Sequence, residues 1–187
     1  GTNNLILGST AGDSIASGGN QNICIGDNAG TAITTGDRNT AVGFEALKTA
    51  TTAQYNVAVG YQALENNTGN NNTAVGDQAL EACTSGTNNT AMGDDAGVSV
   101  TTGEQNVLIG TSAGDALTDA DYNVAIGSDA LGADTKGSRS VAIGRRTLHA
   151  QNFTSATDAY NTAVGFEAGN DVTTAQYSTL IGGNAGD

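Results

Sequence analysis

The side chains able to move protons, attack carbonyls or hold metals are sparse in this 187-residue chain. One histidine, His149, and two cysteines, Cys24 and Cys83, are set among 19 acids and 6 bases. A single imidazole with no carboxylate pair or nucleophile at a recognisable spacing leaves no acid–base machinery to assemble, so no enzyme activity is expected. Calcium rolls repeat a Gly-Gly-x-Gly-x-Asp phrase that brings carboxylates into register. That phrase is absent, and Asp13, Asp27, Asp94 and Asp115 share no rung position. No cofactor and no metal is expected. Charged and aromatic residues concentrate in one place: four of the six bases, Lys136, Arg139, Arg145 and Arg146, lie close to His149, Phe153 and Tyr160. Arg145, Arg146, His149, Phe153 and Tyr160 form a candidate ligand loop, with bases and rings suited to an acidic glycan or a neighbouring protein. The plainer reading is a surface bulge whose arginines pair with acids of an adjacent chain.

What positions these residues is a repeat. A five-residue phrase occurs eleven times, with its Gly at 8, 26, 43, 60, 76, 93, 110, 127, 144, 165 and 182. It reads Asn39-Thr40-Ala41-Val42-Gly43 in one copy and Asn123-Val124-Ala125-Ile126-Gly127 in another. Seven of the ten intervals equal the step from Gly26 to Gly43, and one, from Gly144 to Gly165, is longer by four. A fixed short period without helical periodicity predicts stacked coils, each burying its apolar residues only against its neighbours. The expected fold is all-β: a parallel β-solenoid of about eleven 17-residue coils, a single repetitive unit over 1–187 and a rod of roughly 50 Å. The four extra residues of the long interval are expected to push the candidate loop out of the rod.

Aromatics make up only 4% of the chain, and the apolar positions hold mainly Ala, Val, Ile, Leu and Thr, so the core must be thin. In each anchor strand the positions one and three before the Gly, such as Val59 and Val57, share a face. The residue between them is also apolar: Ala41, Ala58, Ala74, Ala91, Leu108, Ala125, Ala142, Ala163 and Leu180 continue one column. Both faces ask for burial. One fills the coil, and the other, expected here to be the Ala column, needs a second surface. Close approach of small residues around an axis predicts a cyclic homo-oligomer, most simply a homotrimer, with the Ala column as its axial strand.

The anchor Gly is followed by two variable residues, then Ala in ten copies, then Leu or Gly. Segments such as Ile33-Thr34-Thr35 and Val100-Thr101-Thr102 are expected to form a second short strand. Asn22, Asn39, Asn56, Asn72, Asn89, Asn106, Asn123 and Asn161 open the anchors, with Ser140 and Ser178 as substitutes, and predict a ladder of carboxamides bonded from coil to coil. Tyr55, Tyr122, Tyr160 and Tyr177 precede the ladder and Phe44, Tyr61 and Phe166 follow the Gly, in positions to stack on neighbouring rings. Cys24 and Cys83 lie three coils apart, about 14 Å along the stack and beyond the ~7 Å a disulfide spans, and read as small buried hydrophobes.

The formal charge of −13 repels phosphate backbones and anionic headgroups, so nucleic acid is not an expected partner. No apolar run approaches the roughly 18 residues of a membrane helix, and no membrane insertion is expected in this segment. The pattern starts midway at Gly1 and runs out after Asn184-Ala185-Gly186 without polar capping units, as expected of a length cut from a longer solenoid.

The run from Asn39 to Leu47, echoed at Asn72–Leu80 and Asn161–Gly169, resembles the head repeats of trimeric autotransporter adhesins, with their Asn-Ser-Val-Ala-Ile-Gly motif, and the related repeats of phage tail fibres. Ser140-Val141-Ala142-Ile143-Gly144 matches the adhesin wording, and the resemblance covers essentially the whole chain. It implies a homotrimeric fibre of left-handed β-rolls with the anchor strands nearest the axis. The long period and the Asn-Thr-Ala-Val-Gly wording resemble the virion-fibre variants more closely. The expected role is therefore an extracellular fibre shaft used in host attachment, on a virion or, alternatively, as a cell-surface adhesin head whose flank binds a ligand. Expected partners are two sister chains, adjoining fibre segments, and a host-surface glycan or protein. An ice-binding solenoid is a remote alternative, weakened because adjacent Thr residues point to opposite faces.

Overall fold

The computed structural model describes residues 1–16 and 18–186, and every anchor pentad in it forms a three-residue strand. The strands are β1 (Leu5–Leu7), β2 (Ile23–Ile25), β3 (Thr40–Val42), β4 (Val57–Val59), β5 (Thr73–Val75), β6 (Thr90–Met92), β7 (Val107–Ile109), β8 (Val124–Ile126), β10 (Val141–Ile143), β12 (Thr162–Val164) and β13 (Thr179–Ile181). Two-residue strands β9 (Gly137–Ser138) and β11 (Thr157–Asp158) pair separately. The eleven anchors run parallel in one sheet, in chain order, and equivalent residues pair: Ala41 with Ala58, Ala58 with Ala74. Among the described residues there is no helix. The expected all-β parallel solenoid, with one pentad per turn, is thus observed.

The orientation of the anchor strand differs from expectation. Ala41, Ala58, Ala74, Ala91, Leu108, Ala125, Ala142 and Ala163 are fully buried inside the single chain, and Leu180 packs half-buried on the same core. These side chains therefore do not face a trimer axis. The ladder explains why. Asn56 stands two residues before Ala58, so period two puts both on one side. Its carboxamide has to reach the interior, where it bonds to neighbouring coils, and the Ala column goes in with it.

The interior is one side chain thick and is filled by a three-position rule. Where the residue four after the anchor Gly is Leu, the residue six before it and the one three after it are small or polar, as in Ala41/Leu47/Ala50 and Ala74/Leu80/Cys83. Where that residue is Gly, the residue three after it is a larger aliphatic, as Val100 is beside Ala91 and Gly97, and in some coils both flanking groups are larger, as in Cys24/Gly30/Ile33 and Leu108/Gly114/Leu117. A Cβ on Gly30 would stand 2.6 Å from Cys24 Sγ and 2.8 Å from Ile33 Cδ1, so the flanking side chains occupy the space that Leu fills elsewhere. The position is left-handed, with φ 52° at Leu47 and 59° at Gly30, a conformation that Gly adopts freely. Leu bears a strain of roughly 1–2 kcal/mol in that conformation. Full burial of its side chain, about 1.5–3 kcal/mol, offsets this.

The expected second strand does not form as a ladder. Residues 48–55 must close the coil and end left-handed at Tyr55 (φ 60°), which leaves no run of extended residues. Coils are joined on that side by bonds gathered on one carbonyl: the Thr34 N–H and hydroxyl both donate to the Thr51 carbonyl, at 2.8 and 3.0 Å. Among the described residues only β9 and β11 pair there as strands, at the long coil.

Candidate functional site

With the Ala column inside, the outward face of the sheet carries the alternate residues, two per strand from Leu5 and Leu7 to Thr179 and Ile181. Every one is Val, Ile, Leu, Met or Thr, and none is charged, in a chain with 19 acids and 6 bases. Flanking this face are two further outward columns, one just before the ladder Asn and one just after the anchor Gly. Nearly all the exposed large hydrophobic residues belong to these four columns: Leu5, Leu7, Ile23, Met92, Ile143 and Ile181 on the strands, Tyr55, Tyr122, Tyr160 and Tyr177 on one flank, Phe44, Tyr61 and Phe166 on the other. The exception, Ile6, lies in the first coil. A face about 48 Å tall, given ten steps of ~4.8 Å, and roughly 17 Å wide covers about 800 Å². Its central strip, the strand residues alone, is free of charge, whereas the flanks carry Asp27, Asp77, Asp94, Arg38, Arg139 and Arg145 among their rings.

The face is held flat by the predicted ladder. Each rung bonds both ways: Asn106 Oδ1 accepts from the Asn123 N–H (2.9 Å), and Asn106 Nδ2 donates to the Ala120 carbonyl (2.8 Å). Equivalent bonds join Asn22, Asn39, Asn56, Asn72 and Asn89 upward, and Asn161 to Ser178 and Ala175. All eight are buried with their amides satisfied, which fixes coil register and strand spacing together. The flanking columns stack as expected, Phe44 on Tyr61 and Tyr160 on Tyr177, each pair at 5.5 Å. Arginines join the stacks: Arg139 lies 4.6 Å from the Tyr122 ring centre, and Arg145 5.6 Å from that of Phe166.

The candidate ligand loop does not assemble as expected. Phe153 is only 7% exposed and turned inward, so it is not available to an external ligand. Arg145 and Arg146 both reach Glu167, at 3.3 and 3.6 Å, and Tyr160 belongs to the stacked flank. His149 is half-buried on a different part of the coil. Three of the four extra residues emerge as Thr154, Ser155 and Ala156, an exposed apex without base or ring. The ladder is repaired instead by Gln151, at the ordinary core position three after Leu148. Ser140 is too short to span to the next coil, and buried Gln151 takes over, donating to Ser140 Oγ (3.1 Å) and accepting from Asn161 Nδ2 (2.7 Å). Buried Asp134 holds Gln151 in turn, and also accepts from the amides of Gly137 and Phe153 at 3.0 Å. Phe153 caps this polar island.

Cys24 and Cys83 are free and buried, and burial pushes both thiols up to about 11. Asp95 is raised by partial burial and then by the charges of Asp94 and Asp77; Asp115 is raised mainly by burial. Among the described residues no group of three or more His, Cys, Asp or Glu is placed to hold a metal ion, and no enclosed pocket is present.

Sequence reasoning found the ladder and the stacks but turned the Ala column outward, whereas it lies inside. The missed signal was the complete lack of charge in the two columns beside each Ala. No protein-family profile, curated protein or solved structure matches the chain.

Proposed function

We propose that this chain is the shaft of a homotrimeric extracellular fibre, of the virion tail-fibre kind, that carries host attachment. The observation that supports this reading is the uncharged outward face running the length of the sheet. Water is a poor neighbour for an unbroken strip of Val, Ile, Leu and Thr, and a second and third copy of the same strip would exclude it. Around a threefold axis parallel to the rod, three such faces enclose a shared core one side chain deep. The expected trimer is thereby retained with a different lining: the columns of Val57 and Val59 meet at the axis, and the Ala column supports them from behind. The acidic remainder of the surface, at −13 per chain, keeps finished rods apart. The left-handed coil implied by the family resemblance, a position within a longer fibre, and contact with a host-surface glycan or protein belong to the same reading. The Asn-Thr-Ala-Val-Gly wording favours a virion over a cell-surface adhesin. Ice binding is disfavoured, since the hydroxyls of Thr84, Thr101 and Thr118 already donate to carbonyls of the next coil at 3.1 Å.

Light scattering on the purified chain tests the assembly. The expected mass is three times the 18.5 kDa of one chain, and a monodisperse species of 18.5 kDa at micromolar concentration removes the basis for the proposal.

A further inference from the structure

We infer that neighbouring protomers join flank to flank within the same coil, the residue just before each ladder Asn meeting the residue six places later in the next protomer. This rests on the cyclic assembly proposed above and adds which side chains meet. Rotation about an axis parallel to the rod keeps every coil at its own height. Each corner between protomers therefore brings the pre-Asn column of one chain to the post-Gly column of the next, rung by rung. Within one chain these columns lie on opposite edges of the strand, about 15–20 Å apart, and do not touch.

The two columns are chemically matched across that corner. The post-Gly column holds three carboxylates, and each faces an amide of the same coil: Asp27 with Gln21, Asp77 with Asn71, Asp94 with Asn88. Its aromatic residues face partners that stack: Tyr61 with Tyr55, Phe166 with Tyr160, and Phe44 with the Arg38 guanidinium. Small residues stand opposite long ones, as Ser128 does to Tyr122 and Gly183 to Tyr177. No acid occurs anywhere in the pre-Asn column, although the chain has 19. The one like-charged rung, Arg139 with Arg145, is partly screened inside each chain: Arg139 pairs with Asp158 at 2.9 Å, and Arg145 shares Glu167, at 3.3 Å, with Arg146. A face of roughly 800 Å² per chain is divided between two neighbours in a trimer, about 400 Å² to each, and the three faces together enclose about 2,400 Å².

Cysteine cross-linking under mild oxidation tests the pairing. Asn71 and Asp77 are both exposed, as are Asn88 and Asp94. The double variants Asn71→Cys/Asp77→Cys and, independently, Asn88→Cys/Asp94→Cys are expected to give a covalent trimer, three times the 18.5 kDa chain, on a non-reducing gel. Asn71→Cys/Thr111→Cys, two coils out of step, is expected to stay at 18.5 kDa under denaturing conditions. Native Cys24 and Cys83 are buried and take no part. If scattering gives the trimer mass while neither same-coil pair cross-links, or while the out-of-step pair links as fast, the flank pairing is wrong and the trimer stands. A covalent dimer as the end product, or a monomer by scattering, overturns the threefold assembly and the pairing with it.

Discussion

At the scale of single residues, the molecule depends on groups that are buried and fully engaged. Asn106 satisfies one amide and one carbonyl in the coil above, neither of which water can reach. Asn106→Ala removes both bonds and leaves two buried polar groups unpaired, so urea unfolding is expected to lose roughly 2–4 kcal/mol, with the Asn123 amide exchanging early. The thiols give a pH signature of definite sign. Each is raised from 9.0 in the unfolded chain to about 11 in the fold, so the folded state holds the proton longer. Stability from this source is complete below pH 9 and falls as pH rises toward 11, by roughly 2 kcal/mol per thiol at the end of that window. Stability of the Cys24→Ala/Cys83→Ala variant is expected to lack that alkaline decline when followed by denaturant melts from pH 8 to 11. A carboxamide and a thiol thus serve one end, filling a narrow interior without leaving a bond unmade.

At the scale of the coil, volume is conserved while the residues that supply it exchange places. The second coil uses Cys24, Gly30 and Ile33 where the third uses Ala41, Leu47 and Ala50. Gly30→Leu alone overpacks against Cys24 and Ile33 and is expected to cost more than about 3 kcal/mol, and Ile33→Ala alone about 2–5 kcal/mol. The triple variant Cys24→Ala/Gly30→Leu/Ile33→Ala converts one coil type into the other and is expected within about 1.5 kcal/mol of the parent in thermal melts, a strong departure from additivity. This rule was open to sequence reading, because Leu and Gly exchange at one place in the repeat, yet its partners at six before and three after go unnoticed when positions are read singly. Strand, corner and ladder were legible because each repeats at one residue per coil. The direction of the strand was harder. Val57, Ala58 and Val59 are all apolar, and alternation shows that two faces exist without saying which is inside. The ladder held the answer, since Asn56 shares parity with Ala58. The inward turn of Phe153 was not legible at all: it depends on Ser140 leaving a gap in the ladder, on Gln151 filling it from the ordinary position three after Leu148, and on Asp134 holding both Gln151 and the Phe153 amide.

At the scale of the whole molecule, one uncharged side faces outward along the rod and the charge lies elsewhere. Val124→Asp sits half-exposed in a lone chain and is tolerated there, but in a threefold core it gathers three carboxylates around one axis. The expected result is a threefold drop in mass, to 18.5 kDa by scattering, with the β-sheet circular dichroism retained. Gln54→Asp, off that face, is expected to leave the mass unchanged. Because strands follow one another in the sheet without a crossover, no coil is tied to any but its two neighbours. A pull along the rod therefore loads the rungs in series rather than in parallel, and rupture peels a single turn at a time. Each peeled turn releases roughly 55 Å of slack, so the rod behaves under tension as a shock absorber that yields in equal increments before it breaks.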